Sequence, residues 1–419
     1  MLNKNLSKIL TIFIFVFSIY LPLFIYNFLL IYNDNKSKSI LNNIDIEKKN
    51  NEDYFLRKAA LEDNFLPNYY PNQIKEFSIK ANSKFYPIGS LPNTNLYYCN
   101  EGYGLIKYKS DRFGLRNNDK IWDDIKDGAN IFLIGDSFAH GACVEDQFTI
   151  SQVLSNLSGE KVFNLAHGSN DPYEYAAILK TIIKPILRET TNKSWVVLAI
   201  YTNDNKKVDK LSDSLLKNAY EILSINEKEK VIASKEYIED IEKIIKSNYP
   251  TSSEKILERM TKIRKPELYE TIKLNNKSKF YKFIKENPFY KYITLVYLRD
   301  RIKLLPRSSN NLVHSLTTKT TQTELAIQNL AKICIQPCKP VLLFVPNSNI
   351  WDEDLKADLY KLQIKKLAKK YDIQFIDGEE VIDKNNPDDF APAGLHNSKD
   401  GYRKIAEHIL KGIKLNIKK

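Results

Sequence analysis

An α/β domain, with helices covering both faces of a parallel sheet, is the fold class this sequence predicts. Three observations predict it. Five short apolar runs, NIFLI (130–134), KVFNLA (161–166), SWVVLAIY (194–201), PVLLFVP (340–346) and IQFIDG (373–378), lack the polar alternation of a half-exposed strand and read as strands buried on both faces. Helical patterns lie between or after them, at Phe148–Leu157, Pro172–Glu189, Thr323–Cys334, Asp354–Tyr371 and Asp400–Leu410. Strands that alternate with helices are joined by crossovers, which lay the helices on the sheet faces and keep the strands parallel.

In chain order, the first element precedes this domain. Residues 1–33 read as a cytoplasmic tip and a membrane anchor: 9–32 carry no charge, and a helix of that length reaches roughly 36 Å, enough to span a bilayer with some tilt. A cleaved signal peptide fits less well, because the run ends in LLIYNDN and not in small residues. Lys4 and Lys8 before the span favour a cytoplasmic N-terminus in the inner membrane, single-pass, with the rest of the chain on the periplasmic or extracytoplasmic side. Residues 34–53 are polar and charged and read as a stalk; 54–125, rich in Tyr, Pro and Asn, read as an irregular segment against the main body. The domain proper then runs over 126–204 and 323–419, interrupted at 205–322 by Lys/Glu/Ile-rich helical patterns with no obvious strand, which read as a helical insertion.

Charge excludes little. The 419 residues carry 63 Lys and Arg against 51 Asp and Glu, a formal +12, but the lysines are scattered through mixed-charge helices and no reader motif appears. They read as a solvated surface, and nucleic acid is not an expected partner. The four cysteines suit an oxidising compartment; Cys99 with Cys143 and Cys334 with Cys338 is the natural pairing among three. No His pair accompanies them, which argues against zinc, and GDSFAHG lacks the Lys and spacing of a phosphate loop. Neither metal nor cofactor is expected.

Ligands in open parallel sheets collect at the carboxyl ends of strands. Three polar blocks fall there: Gly135-Asp136-Ser137, NLAHGSNDP (164–172) and Thr202-Asn203-Asp204; GLHNSKDGY brings His396 to a loop after the fifth strand. A serine hydroxyl needs a base, and His396 is the histidine placed to return to that rim. An oxyanion formed on attack needs preorganised donors, which the Ser137 N–H, an N–H of the Gly168-Ser169 turn and the Asn203 amide would supply. Ser137 read alone would equally suit a helix N-cap. His140 and His167 read as structural, Asp136 as an orienting group and Asp204 as a cap.

These blocks resemble the SGNH hydrolase superfamily, the GDSL esterases and lipases. GDSF (135–138) is similar to its first block, TND (202–204) to most of its third, and GLHNSKDGYRKIAEHI to the histidine block of its envelope-associated branch; SDRFGLRN (110–117) resembles the lead-in of polysaccharide-linked members. The resemblance covers about 105–204 and 325–415. It implies a flavodoxin-like three-layer α/β/α sandwich, a Ser137–His396 acyl-enzyme mechanism, and an esterase or O-acyltransferase acting on acylated envelope carbohydrate. Three positions depart from the pattern. Tyr201 stands where Gly is usual and would narrow the pocket; the donor glycine is Gly168, with Ser169 at the usual position; and Ala393 stands three before His396, where the family has Asp. The imidazole is then oriented by a backbone carbonyl, or by Asp388 or Asp389. A catalytically silent glycan-binding or assembly scaffold is the alternative that Ala393 and Tyr201 leave open.

Overall fold

The computed structural model describes residues 18, 20–26, 28–29, 46–125, 129–204, 210–228, 230–263, 321–351 and 357–414. Two compact units divide the chain, Met1–Ile46 with Thr261–Thr317, and Glu47–Met260 with Thr318–Lys419. Most of the 9–32 run expected to span a membrane lies outside the described residues; those of it that are described are helical. Among the described residues no helix is long and apolar enough to cross a membrane. The second unit holds the α/β domain.

Its five-stranded sheet is parallel throughout. β4 (Asn130–Ile134), β5 (Lys161–Asn164), β6 (Ser194–Ile200), β9 (Cys338–Phe344) and β10 (Gln374–Asp377) stand in the spatial order β10-β9-β6-β4-β5. Numbered along the chain this is 2-1-3-4-5, the flavodoxin-like order, with its switch point between β4 and β6. Alternate side chains feed two cores. Ile131, Leu133, Trp195 and Val197 pack with α4 (Ile150–Ser158) and α12 (Lys399–Gly412) on one face. Phe132, Ile134, Val196 and Leu198 face α5 (Pro172–Ile178), its continuation through a π turn (Leu179–Ile183) into α6 (Lys184–Glu189), and the helices α10 (Gln322–Ile333) and α11 (Ala357–Lys370). A strand with helices on both sides has no polar face to show, which is why these runs are apolar without alternation.

Local signals set the helix starts. Thr149 caps α4 and Gly159 ends it in the left-handed region; Asp171 and Glu174 form a reciprocal capping box at α5, with Pro172 in its first turn.

Three stretches outside the sheet take a more definite form. The stalk assigned to 34–53 ends early, since α1 (Ile46–Glu62) begins within it and seats Ala60 and Leu61 against Tyr97. The segment 54–125 is ordered, with α2 (Pro71–Lys80) and a mixed three-stranded sheet of β1 (Leu66–Pro67), β2 (Asn95–Tyr97) and β3 (Lys107–Lys109). Such short strands carry no readable period. The stretch 205–322 includes α7 (Lys210–Asn218), α8 (Lys235–Asn248) and α9 (Ser253–Ile263), but also a hairpin of β7 (Leu223–Ile225) and β8 (Val231–Ala233). Residues 264–320 lie outside the described residues.

SDRFGLRN fastens the 54–125 segment to the sheet. Asp111 is buried and accepts from the Trp122 indole (2.8 Å), the Asn117 amide (2.9 Å) and the Phe113 and Leu115 N–H groups (both 2.9 Å). Burial outweighs these donors and pushes its carboxyl up to about 6. Asn117 exchanges hydrogen bonds with the backbone of Asn164 at the end of β5 (2.9 and 2.8 Å). Arg116 donates to the carbonyls of Gly141 (2.7 Å) and Val144 (2.8 Å), just beyond the nucleophile block.

Candidate active site

β4 ends at Ile134, and the chain turns at once into the single helical turn α3 (Ser137–His140). Asp136 caps this turn, its Oδ1 accepting from the Phe138 N–H at 3.0 Å. The N-cap role considered for Ser137 thus belongs to its neighbour, and the Ser137 hydroxyl is left to face the rim. Burial pushes the Asp136 carboxyl up to about 6, against the pull of the Phe138 N–H, the His396 charge and the Asn203 amide. Asn203, in the turn Thr202–Asp204 beyond β6, is therefore beside the nucleophile block, as pairing of β4 with β6 requires.

His396 arrives on a loop that closes on itself. The Ala391 N–H donates to the His396 carbonyl (2.8 Å), and the Ser398 N–H to the Asp389 carbonyl (3.0 Å). Its Nε2 lies 2.8 Å from Ser137 Oγ, and its Nδ1 lies 2.8 Å from Glu101 Oε1. With the ring proton on Nδ1, the imidazole donates to Glu101 and accepts from Ser137. The His396 backbone N–H also donates to Glu101 Oε2, at 3.2 Å. The Phe138 ring packs 4.8 Å from the imidazole and 4.2 Å from the Tyr201 ring. Tyr201 is only 4% exposed and stacks on the Phe138 ring.

The carboxylate is the correction. Asp388 is exposed, and Asp389 turns its carboxylate toward Lys404 and the Asp383 N–H (2.9 Å), its backbone being committed to closing the His396 loop. Glu101 comes instead from the turn between β2 and β3. The Ala393 N–H donates to the Glu101 carbonyl at 2.9 Å, so the turn that carries the acid bonds to the residue that stands where Asp was expected. Gly394 makes room for the Glu101 side chain, since a Cβ there would lie 1.9 Å from Glu101 Cδ. Sequence reasoning missed Glu101; the one signal beside it is CNEGYG, a carboxylate two residues after a candidate disulfide cysteine, among glycines.

The two backbone candidates of the second block differ in exposure. Gly168 is buried, and a Cβ there would meet Tyr98 Oη at 2.2 Å and the Tyr70 ring at 2.9 Å. Ser169 is exposed and holds φ 60°, a conformation that strains a serine. Beneath the turn, His140 and His167 stack at 5.0 Å, fully buried, with Tyr98 5.1 Å from His140 and Tyr70 6.1 Å from His167. Burial holds His140 well below the usual imidazole range and lowers His167 to about 4. These two are packing groups, not bases. Asp204 is buried too, accepting from the Tyr175 hydroxyl and the Tyr201 N–H (both 3.0 Å), and burial raises its carboxyl.

Both cysteine pairs form, Cys99–Cys143 and Cys334–Cys338. Glu101, Cys143 and His396 put potential ligand atoms within 4.8 Å of one another, but Cys143 is bonded to Cys99, and Glu101 and His396 are engaged with each other.

Fold and site together define a flavodoxin-like α/β/α sandwich with a serine, an imidazole and a carboxylate aligned at its switch point. No family model matches the chain, and no curated protein does. Among solved structures, the chain is similar to a proposed lipolytic protein of the G-D-S-L family from Desulfitobacterium hafniense DCB-2, at 13% identity over 68% of this chain and 98% of that one, TM-score 0.32. It is also similar to a proposed acylhydrolase from Bacteroides fragilis NCTC 9343, at 12% identity over 68% and 86%, TM-score 0.29.

Proposed function

We propose that the protein is a serine esterase or O-acyltransferase of the SGNH type, anchored in the inner membrane through residues 9–32 and acting on ester groups of envelope carbohydrate from the extracytoplasmic side. One observation carries the chemistry: Ser137 Oγ, the His396 ring and the Glu101 carboxylate stand in line at 2.8 Å and 2.8 Å. Ser137 attacks the ester carbonyl while its proton passes to His396 Nε2, and Glu101 stabilises the imidazolium through Nδ1–H. The oxyanion rests on the Ser137 N–H, an N–H of the Gly168-Ser169 turn and the Asn203 amide. His396 then protonates the leaving alcohol, and water or a sugar hydroxyl releases the acyl group. The histidine block and SDRFGLRN support carbohydrate as the substrate class. The uncharged run and the cysteine pairs support an extracytoplasmic site. The silent-scaffold alternative loses its motive, because Glu101 occupies the role left open at Ala393 and Tyr201 stacks on Phe138.

A fluorophosphonate probe tests this reading. Ser137 should be labelled in the folded full-length protein, and Ser137→Ala should abolish labelling and lower ester turnover by about 10⁶-fold. Unlabelled, well-folded wild type would sink it. Acetylated glycan offered with and without an acceptor sugar separates acyl transfer from hydrolysis.

A further inference from the structure

We propose that the Cys99–Cys143 disulfide positions Glu101, so that turnover depends on this bond, while the Cys334–Cys338 bond is dispensable for it. The inference rests on the esterase reading and deepens it. Glu101 belongs to the turn between β2 and β3, not to the parallel sheet; the turn is closed by the Ile106 N–H to the Cys99 carbonyl (3.0 Å), its Asn100 amide donates to Asp53 (3.0 Å), and Tyr103 packs against the core beside α12. Asn100 Oδ1 accepts from the Gly102 and Gly104 N–H groups (2.9 and 3.1 Å), which shapes the turn without attaching it to the nucleophile. The Glu101 carbonyl takes the Ala393 N–H (2.9 Å). The covalent attachment is Cys99, two residues before Glu101, joined to Cys143, six residues after Ser137.

Cys143 is a fixed point. Arg116 holds the carbonyls on both sides of it, at Gly141 and Val144, and the Ala142 N–H donates to the Ser137 carbonyl at 3.0 Å. The bond therefore ties the acid-bearing turn covalently to the nucleophile turn. Its sulfur also lies near the acid–base pair, within 4.8 Å of the Glu101 and His396 ligand atoms. Opening the bond with a dithiol, which delivers two electrons and two protons and leaves as a cyclic disulfide, yields two thiols and removes the covalent tie. A misplacement of about 1 Å in such a group costs about 10²-fold in rate. The other disulfide closes a five-residue turn at the start of β9, the end of the strand opposite the rim.

The test uses full-length protein in detergent with p-nitrophenyl acetate. Cys99→Ala/Cys143→Ala should lower kcat about 10²-fold with KM changed less than about twofold, and Glu101→Gln should cost much less in that background than in wild type. Independent multiplication of the two losses would show that the disulfide merely stabilises the fold, as would wild-type kcat in the folded double variant. Should the double variant fail to fold, Cys334→Ala/Cys338→Ala keeps only the pair in question. Its activity should match wild type, fall on dithiothreitol treatment and return on re-oxidation; an unchanged rate after proven reduction overturns the proposal. Failure of wild-type Ser137 to take the fluorophosphonate would instead overturn the esterase reading itself.

Discussion

The rim of the parallel sheet and the β2–β3 turn supply the same site by different means. At the rim, geometry follows from register: β4 pairs with β6 from Asn130↔Ser194 to Ile134↔Leu198, so whatever follows those strands must meet. Asn203 bonds to Asp136, the residue before Ser137, because both follow paired strands. The turn that carries Glu101 lies between strands of three residues each, and a hydrogen bond to Ala393, a disulfide and the glycine at 394 bring it to the imidazole. The lesson is a division of labour: the fold fixes nucleophile and base, and an appended segment delivers the acid.

The most direct way to break this comparison is to neutralise the two rival carboxylates. Glu101→Gln should lower kcat on the order of 10⁴-fold, as when the acid of a Ser-His-acid triad becomes an amide. Asp389→Asn should leave kcat within about threefold and cost stability instead, since its partners are Lys404 and the Asp383 N–H. Steady-state kinetics alongside thermal melts decides it; the opposite pattern would return the acid to the histidine loop.

The sequence made the rim legible for the reason the rim is rigid. NIFLI is β4 residue for residue, and SWVVLAI is β6, because a strand buried on both faces must be apolar along its whole length. Ser137 and His396 were legible as the polar residues that follow such runs. Glu101 was not. Its contact with His396 spans 295 residues, and its turn is set by Asn100 and two glycines at positive φ, which leave no periodic trace. The histidine loop misled for a related reason, since Asp388 and Asp389 are near His396 in sequence while backbone closure turns them away.

Acid should strain the seam between the two regions. His167 stacks on His140 under Tyr98 and Tyr70, which come from the N-terminal segment. The unfolded chain protonates such a histidine near 6.5, whereas the folded protein resists down to about 4. Between those values the unfolded state binds more protons, so the His167 contribution is complete above about 6.5 and falls by about 3 kcal/mol as the pH drops to 4. Burial raises Asp111 to about 6 and Glu174 to about 7, and these groups weaken the fold as pH rises. Urea titrations of wild type and His167→Phe across pH 4–7 isolate the histidine term; parallel curves would show that the pair does not titrate on unfolding.

Gly394→Ala sharpens the comparison without touching a charge. The added Cβ would meet the end of the Glu101 side chain, which can swing aside cheaply, so stability should hold while the carboxylate leaves Nδ1. We expect kcat to fall about 10²-fold, with KM and thermal midpoint nearly unchanged. A matching loss of stability would mean that the backbone moved instead of the side chain.

The smallest effect is expected on the rim itself. Ser398, two residues after His396, caps α12: its Oγ accepts from the Gly401 N–H at 2.9 Å and donates to the Asp388 carbonyl at 2.6 Å. Ser398→Ala should cost about 1 kcal/mol of stability, the usual worth of a cap. The imidazole, however, is also held by Glu101, by the Phe138 ring and by the Ala391–His396 backbone pair, none of which passes through the cap. Turnover should therefore fall less than about threefold, a bound set by the partial loss of one among several restraints. A fall near that of Gly394→Ala would show that the rim hangs on this one cap.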